Sequence, residues 1–394
     1  LLADTHRICQ AQIDFWHASA GTRPPFERYV FLLNAVEDGY GGLEHRASTA
    51  LIAARRDLPR QRPDPRGDAG TQDGYITLLG LISHEYFHTW NVKRLRPAEL
   101  VAIDPTRENY TELLWFFEGF TSYYDELMLR RCGLIDAPRY LKLLGKALNA
   151  VASAPGRQVQ SVAQASFDAW VKYYRTDENT PNATISYYLK GALVALACDL
   201  TLRQAGRGSL DDVMCGLWQR CAAAPGATGA VTEADIAAEL ARVAGRPLDA
   251  ELQAWVHGTD DLPLADLLGG LGIELRPERQ GWAAALGLRL SEGPVSGVQV
   301  KSVLVGSAAA AAGLSAGDEL LAVDGWRIRK LDDALAWAGR EQPFELLLVR
   351  DQRVMRLRVR PDAAAQPPAV NVSLHLQAKV PKAVAARRRA WIDA

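Results

Sequence analysis

The segment ITLLGLISHEYFHTWN, Ile76 to Asn91, carries apolar residues Leu78, Leu79, Ile82, Tyr86 and Trp90 at helical spacing. That period predicts an amphipathic helix whose inner face points at a core. His84 and His88 then stand one turn apart on the same face. Two imidazoles at that separation can hold one zinc ion, with ring nitrogens about 2.0–2.1 Å from the metal. Glu85, beside the first histidine, projects next to the metal position and can take a proton from its water. This is the HExxH arrangement. Taken alone, it reads equally well as a buried helix with two satisfied histidines.

A third group separates these readings. LLWFFEGFTSYYDE, Leu113 to Glu126, is another apolar helical pattern, interrupted by one acid, Glu118, between Trp115, Phe116, Phe117 and Phe120. A carboxylate among such neighbours is costly to bury unless it is paired or coordinates a metal. Glu118 fits as the third ligand, leaving the fourth position for water. Closed structural zinc sites use four protein ligands, usually with cysteine, whereas two histidines and a glutamate are a catalytic set. Asp125 lies two turns beyond Glu118 on the same helix face. It is placed either to accept the other ring N–H of a zinc-bound histidine or to sit as an exposed acid.

These residues give the chain a recognisable look. HEYFHTW followed by WFFEGFTSYY resembles the gluzincin metallopeptidases, the group of aminopeptidase N and leukotriene hydrolase. With GGLEH upstream and SYYLKG downstream, the chain is similar to the glycyl aminopeptidase family, whose members carry a PDZ domain. The gap between His88 and Glu118, residues 89 to 117, is longer than in the aminopeptidase N group and agrees with this family. The resemblance covers nearly the whole chain. It implies an α+β multidomain protein, with a thermolysin-like, mostly helical catalytic domain followed by a PDZ domain, and one zinc per chain. It also implies that Gly41 and Gly42 dock the peptide backbone, that Glu44 meets the substrate's free amino group, and that Tyr188, two residues before the Lys190–Gly191 pair, stabilises the oxyanion. From the residues alone, Glu37 to Ser48 reads as a glycine-rich turn with a solvated glutamate. A carboxylate at Glu44 would suit an ammonium ion. His45 stands where the aminopeptidase N group has asparagine, so its amine contacts do not carry over in full.

At 394 residues the chain can bury one large core or two to three domains. Its formal net charge of −1 favours neither a nucleic-acid nor an anionic-membrane partner. No apolar run is expected to approach the roughly 20 residues needed to cross a bilayer. Cys9, Cys132, Cys198, Cys215 and Cys221 form no CxxC pair and read as free thiols, which leans cytoplasmic. The chain starts at Leu1, and the family normally has a β-rich domain before this region. A preceding part is therefore expected; whether it carried a signal peptide stays open, and with it periplasmic or secreted placement.

Residues 1–72 read as the strand and edge region of the catalytic domain, with a helix over Leu2–Ser19, a buried strand over Arg28–Ala35 and a proline-rich loop over Arg55–Gly70. Residues 73–275 read as the helical metallopeptidase domain. Lys93, Arg94 and Arg96 form a basic turn, solvated or facing a substrate carboxylate. His257 marks a helix end. From residue 276 to 362 the period changes from helix to strand, and GSAAAAAGLSAGDELLAVDGWRI, Gly306 to Ile328, resembles the PDZ domains of bacterial proteases, so this span is expected to be the PDZ domain. Its loop around Ala284–Leu288 would cradle the C-terminal carboxylate of a bound peptide. Residues 363–394 are a linker and a basic helix that docks through Trp391. The function expected is removal of small N-terminal residues, glycine or alanine, from peptides. The alternatives are an endopeptidase whose PDZ domain recruits protein tails, a silent peptide-binding scaffold, and a hydrolase of non-peptide substrates.

Overall fold

The computed structural model describes residues 1–18, 21–59, 69–293, 295–365 and 369–393, and the side chains of all of these but 69–72. Helix α1 (Leu2–His17) precedes a three-stranded sheet of β1 (Val30–Val36), β2 (Tyr40–Glu44) and β3 (Ser48–Ala54). The strand order is β1-β3-β2, with β1 parallel and β2 antiparallel to the central β3. GGLEH is thus an edge. Helix α2 (Ala69–Phe87) runs beneath the sheet. The continuous apolar run of β1 predicts burial on both faces, but only one face is covered: Leu32 is 59% exposed, and Ile52 on β3, opposite Asn34, is 45% exposed. Of the predicted loop, residues 60–68 lie outside the described residues.

The second ligand segment is one predicted helix but two observed ones, α3 (Leu114–Phe117) and α4 (Gly119–Arg131), meeting at Glu118. The helical hydrogen bonds run through the junction, from Glu118 N–H to Leu114 and from Ser122 N–H to Glu118. Helices α5 (Ala137–Ala152), α6 (Val162–Phe167), α7 (Thr180–Ala183) and α8 (Tyr187–Ala205) follow. Two glycines set how closely α8 crosses the ligand helices. A Cβ at Gly119 would lie 2.5 Å from Gly191 Cα, and one at Gly191 would lie 2.5 Å from the Trp115 carbonyl oxygen. Only glycine permits that approach, which brings the start of α8 to Glu118. The expectation about membrane length needs correcting. The span Thr180–Ala205 is long and apolar enough to cross a bilayer, but 72% of its most apolar window is buried inside the protein, where α8 is the core helix.

Strand β4 (Arg96–Pro97) pairs in parallel with β5 (Ala230–Val231), tying the turn after α2 to the later helices. Capping boxes at Ser209/Asp212 and Thr232/Asp235 start two of these helices, as their spacing predicts. β6 (Ile273–Pro277) then leads into a further sheet, in the region expected to be a PDZ domain, of β7 (Leu288–Gly293), β8 (Gly297–Val303), β9 (Glu319–Val323), β10 (Trp326–Arg327), β11 (Phe344–Arg350) and β12 (Arg353–Val359), ordered β12-β11-β9-β8-β7 with β10 paired to β9. β7 is an edge, the position at which a peptide adds as a strand. Of the loop expected to cradle a carboxylate, residues 284–286 instead close a short helix, Trp282–Leu286, and Leu288 opens β7. Ala285 N–H bonds back to Gly281 and Gly287 N–H to Ala284, so these donors are already used.

β13 (Val372–Leu376) lies in the segment read as linker and pairs antiparallel with β6. The Asn149 side chain holds it by bonding both N–H and C=O of Val372, each at 2.9 Å. Asn182 does the same between α7 and the end of β8, reaching Val303 O at 2.9 Å and Val305 N–H at 3.0 Å. The C-terminal helix Lys382–Ile392 docks through Trp391, which is fully buried. Its indole N–H donates to Tyr123 (2.8 Å), whose hydroxyl donates to Asp199 (2.6 Å). Arg203 bonds both Asp199 and the Ala390 carbonyl. A buried charge needs such partners, and here they fasten the terminus behind α4 and α8. All five cysteines are free thiols.

Candidate active site

Helix α2 ends at Phe87, one residue before the second histidine, yet His88 N–H still bonds the His84 carbonyl at 3.2 Å. The one-turn spacing of the two imidazoles therefore survives. Their Nε2 atoms lie 3.0 Å apart, and Glu118 Oε2 is 3.3 Å from His84 Nε2 and 3.2 Å from His88 Nε2. Donors about 2.0–2.1 Å from one tetrahedral ion stand about 3.3 Å from one another. The three side chains thus fit a metal, and this is the one such cluster among the described residues.

Both ring tautomers are set from outside the cluster. His88 Nδ1 lies 2.7 Å from the Asn91 carbonyl oxygen, which can only accept, so Nδ1 carries the proton and Nε2 keeps its lone pair. His84 Nδ1 lies 3.1 Å from Asp125 Oδ2, with the same consequence. Asn91 is itself fixed, its amide donating to Phe117 O and Thr121 Oγ1, each at 3.2 Å. The α2 and α3–α4 segments are thereby locked together around the ligands. Burial disfavours charge on His84, but Asp125 and Glu118 outweigh it and hold its pKa well above the ordinary value. Burial pushes Glu118 up, but His88 and His84 hold it far below the usual carboxylate range. Carboxylates that favour a proton at this point favour any cation there.

Glu85 is only 5% exposed, and its Oε2 has no hydrogen-bond partner among the described residues. Burial, partly opposed by the two histidines, raises its pKa, the direction that suits a base. The side chain rests against Gly42 of β2, where a Cβ would stand 2.2 Å from Glu85 Oε1. Gly41, by contrast, faces open space.

Gly42, Glu44, Glu85, His84, His88, Glu118, Tyr187 and Tyr188 line one cleft of about 810 Å³. Tyr188 sits in the first turn of α8, which is capped by Ser186. Its ring centroid lies 6.2 Å from that of His84. Burial and the nearby Glu118 push its pKa up strongly, so it remains a proton donor. Trp170, Tyr174, Phe167 and Tyr110, aromatic and partly exposed, line the same cleft.

Two expectations change. Glu44 is not a free carboxylate, because Lys93 Nζ lies 2.8 Å from its Oε1. Nor is the basic turn solvated, since Arg94 bonds the carbonyls of Thr89, Arg46 and Pro25. His257 pairs with Glu233 at 2.7 Å, away from the site. The Asn91 carbonyl and Tyr174 went unseen in the sequence. The first is a backbone group just past the motif, and the second lies in an irregular turn without periodicity.

Residues 77–194 match the family profile of the M61 glycyl aminopeptidase, and residues 269–340 match that of the PDZ domain. Curated proteins offer no match. Among solved structures, that of an aminopeptidase N family protein from Idiomarina loihiensis is 32% identical, with a TM-score of 0.88, over 99% of this chain and 66% of that one. The chain thus spans just under two thirds of that protein's length.

Proposed function

Given a chain that carries an M61 glycyl aminopeptidase domain and a PDZ domain, we propose that it is a zinc-dependent aminopeptidase releasing small N-terminal residues, glycine or alanine, from peptides. The observation that carries this reading is the His84, His88 and Glu118 donor set, converging from two segments with both histidine tautomers fixed by Asp125 and Asn91. The preference for glycine or alanine rests on the family alone.

His84, His88 and Glu118 would hold the zinc. When bound, zinc supplies Lewis-acid chemistry, making a water acidic near neutral pH and polarising the scissile carbonyl. Glu85 takes the proton of the attacking water and returns it to the leaving amine, a role its raised pKa supports. Tyr188 donates its phenol proton to the developing oxyanion, a donor of the kind worth roughly 2.7–4 kcal/mol. Gly41 and Gly42, on the sheet edge, offer backbone groups to the peptide, and Glu44 offers its carboxylate to the free amine.

A second reading is favoured by one observation. The Lys93–Glu44 pair already neutralises the amine anchor, which suits an endopeptidase, with β7 of the PDZ domain recruiting an extended protein tail. Metal analysis of two variants tests the shared chemistry. Glu118→Ala should lose zinc, while Glu85→Gln should keep it and lose turnover. Unchanged zinc in the first, or full activity in the second, would remove that residue from its role.

A further inference from the structure

Tyr174 follows the irregular helical turn Ala169–Tyr173 and is 58% exposed at the cleft wall. Its hydroxyl oxygen lies 3.3 Å from that of Tyr188. Its place is kept by aromatic contacts. Its ring centroid is 5.7 Å from that of Trp170, and the adjacent Tyr173 ring lies 4.8 Å from Tyr187 and 5.4 Å from Tyr188.

A phenol has one proton to donate and lone pairs with which to accept. Within the pair, one hydroxyl must therefore donate to the other. If Tyr188 donated to Tyr174, its proton would be directed away from the reaction centre. If Tyr174 donates, the Tyr188 proton is free for the oxyanion. A hydroxyl whose oxygen already accepts a bond also becomes a stronger donor, by about 10–30% per bond in a chain. The second hydroxyl further restricts rotation of the first about its C–O bond.

We propose that Tyr174 is a positioning residue for the reaction, donating to the Tyr188 oxygen so that the Tyr188 proton faces the carbonyl under attack. This rests on the reading of Tyr188 as the oxyanion donor. Phenylalanine variants test it with little risk to the fold, since each removes a single oxygen. Tyr188→Phe is expected to lower kcat by about 100-fold or more, as losing one oxyanion donor typically does. Tyr174→Phe should lower kcat about fivefold, a fraction of that effect, with KM unchanged. It should weaken a phosphinic peptide, which mimics the tetrahedral intermediate, by the same factor.

The double variant decides. If Tyr174 acts only through Tyr188, then Tyr174→Phe in the Tyr188→Phe background costs nothing further. A double variant slower than Tyr188→Phe by the full Tyr174→Phe factor would overturn the proposal, as would a Tyr174→Phe enzyme with wild-type kcat. If Tyr188→Phe itself kept wild-type kcat, the underlying reading of Tyr188 would fail, and this inference with it.

Discussion

Gly42→Ala should disable the enzyme without removing its metal. The added methyl would stand 2.2 Å from Glu85 Oε1, 2.3 Å from Cδ and 2.5 Å from Cγ, where ordinary carbon contacts lie at about 3.5–4.0 Å. Because the overlap reaches Cγ, turning the carboxylate alone does not relieve it, and the whole side chain must swing away. The displaced Glu85 then no longer reaches the attacking water. A positioned general base contributes about 10²–10⁴ in rate. The expected loss in kcat is therefore about 100-fold or more, which is about 2.7 kcal/mol in the barrier. The three metal donors are untouched, so zinc content should stay at the wild-type level. Gly41→Ala is the control. Its Cβ meets nothing within 4 Å, so Glu85 stays in place and any change falls on KM. Steady-state kinetics on a peptide beginning with glycine, together with zinc analysis and a melting curve, read all three quantities. A folded, zinc-loaded Gly42→Ala enzyme with kcat within twofold of wild type would refute the reasoning.

The other consequences follow from single contacts. Asp125→Asn keeps an acceptor for His84 Nδ1–H but removes the charge, so zinc affinity measured against a competing chelator should fall about 10- to 100-fold; unchanged affinity would deny Asp125 that role. Lys93→Met leaves Glu44 without its partner, and the preference for free-amine over N-acetylated peptides should rise; an unchanged ratio would argue against Glu44 as the anchor. Glu126, half-buried beside Asp125, is pushed up to about 8 by burial and then by that neighbour. Its folded pKa lies above the roughly 4.3 of an unfolded chain, so the fold favours the neutral acid, and the cost of ionisation grows as pH rises from that value to about 8. Glu126→Gln should therefore raise the melting temperature at pH 8.5 and leave it nearly unchanged at pH 4.5; equal shifts at both would contradict the assignment.

The legible parts of the sequence were those with a period. His84, Glu85 and His88 could be placed because a helical pattern runs through them, and Glu118 because a lone acid stood among aromatic residues. The capping boxes and the alternation of the PDZ strands were readable for the same reason. Contacts made by backbone groups or across long separations were not. The Asn91 carbonyl that orients His88 has no side-chain signature. The Glu44–Lys93 pair joins a sheet edge to the turn after a helix, and no spacing rule relates the two. β13 hid in a stretch whose neighbouring prolines suggested a linker, since a strand of five residues shows its period only weakly once its partner, β6, lies almost 100 positions earlier. The exposure of Leu32 on β1 is a matter of which face the helices cover, which local apolarity does not encode.

The most direct measurement is the hydrolysis of a matched pair of short peptides beginning with glycine or alanine, one with a free N-terminus and one acetylated, by the zinc-loaded protein with Glu85→Gln as control. Cleavage of the free form alone, absent in the control, is the outcome expected of an aminopeptidase that anchors the amine at Glu44. Equal cleavage of both peptides would contradict it and make the protein an endopeptidase.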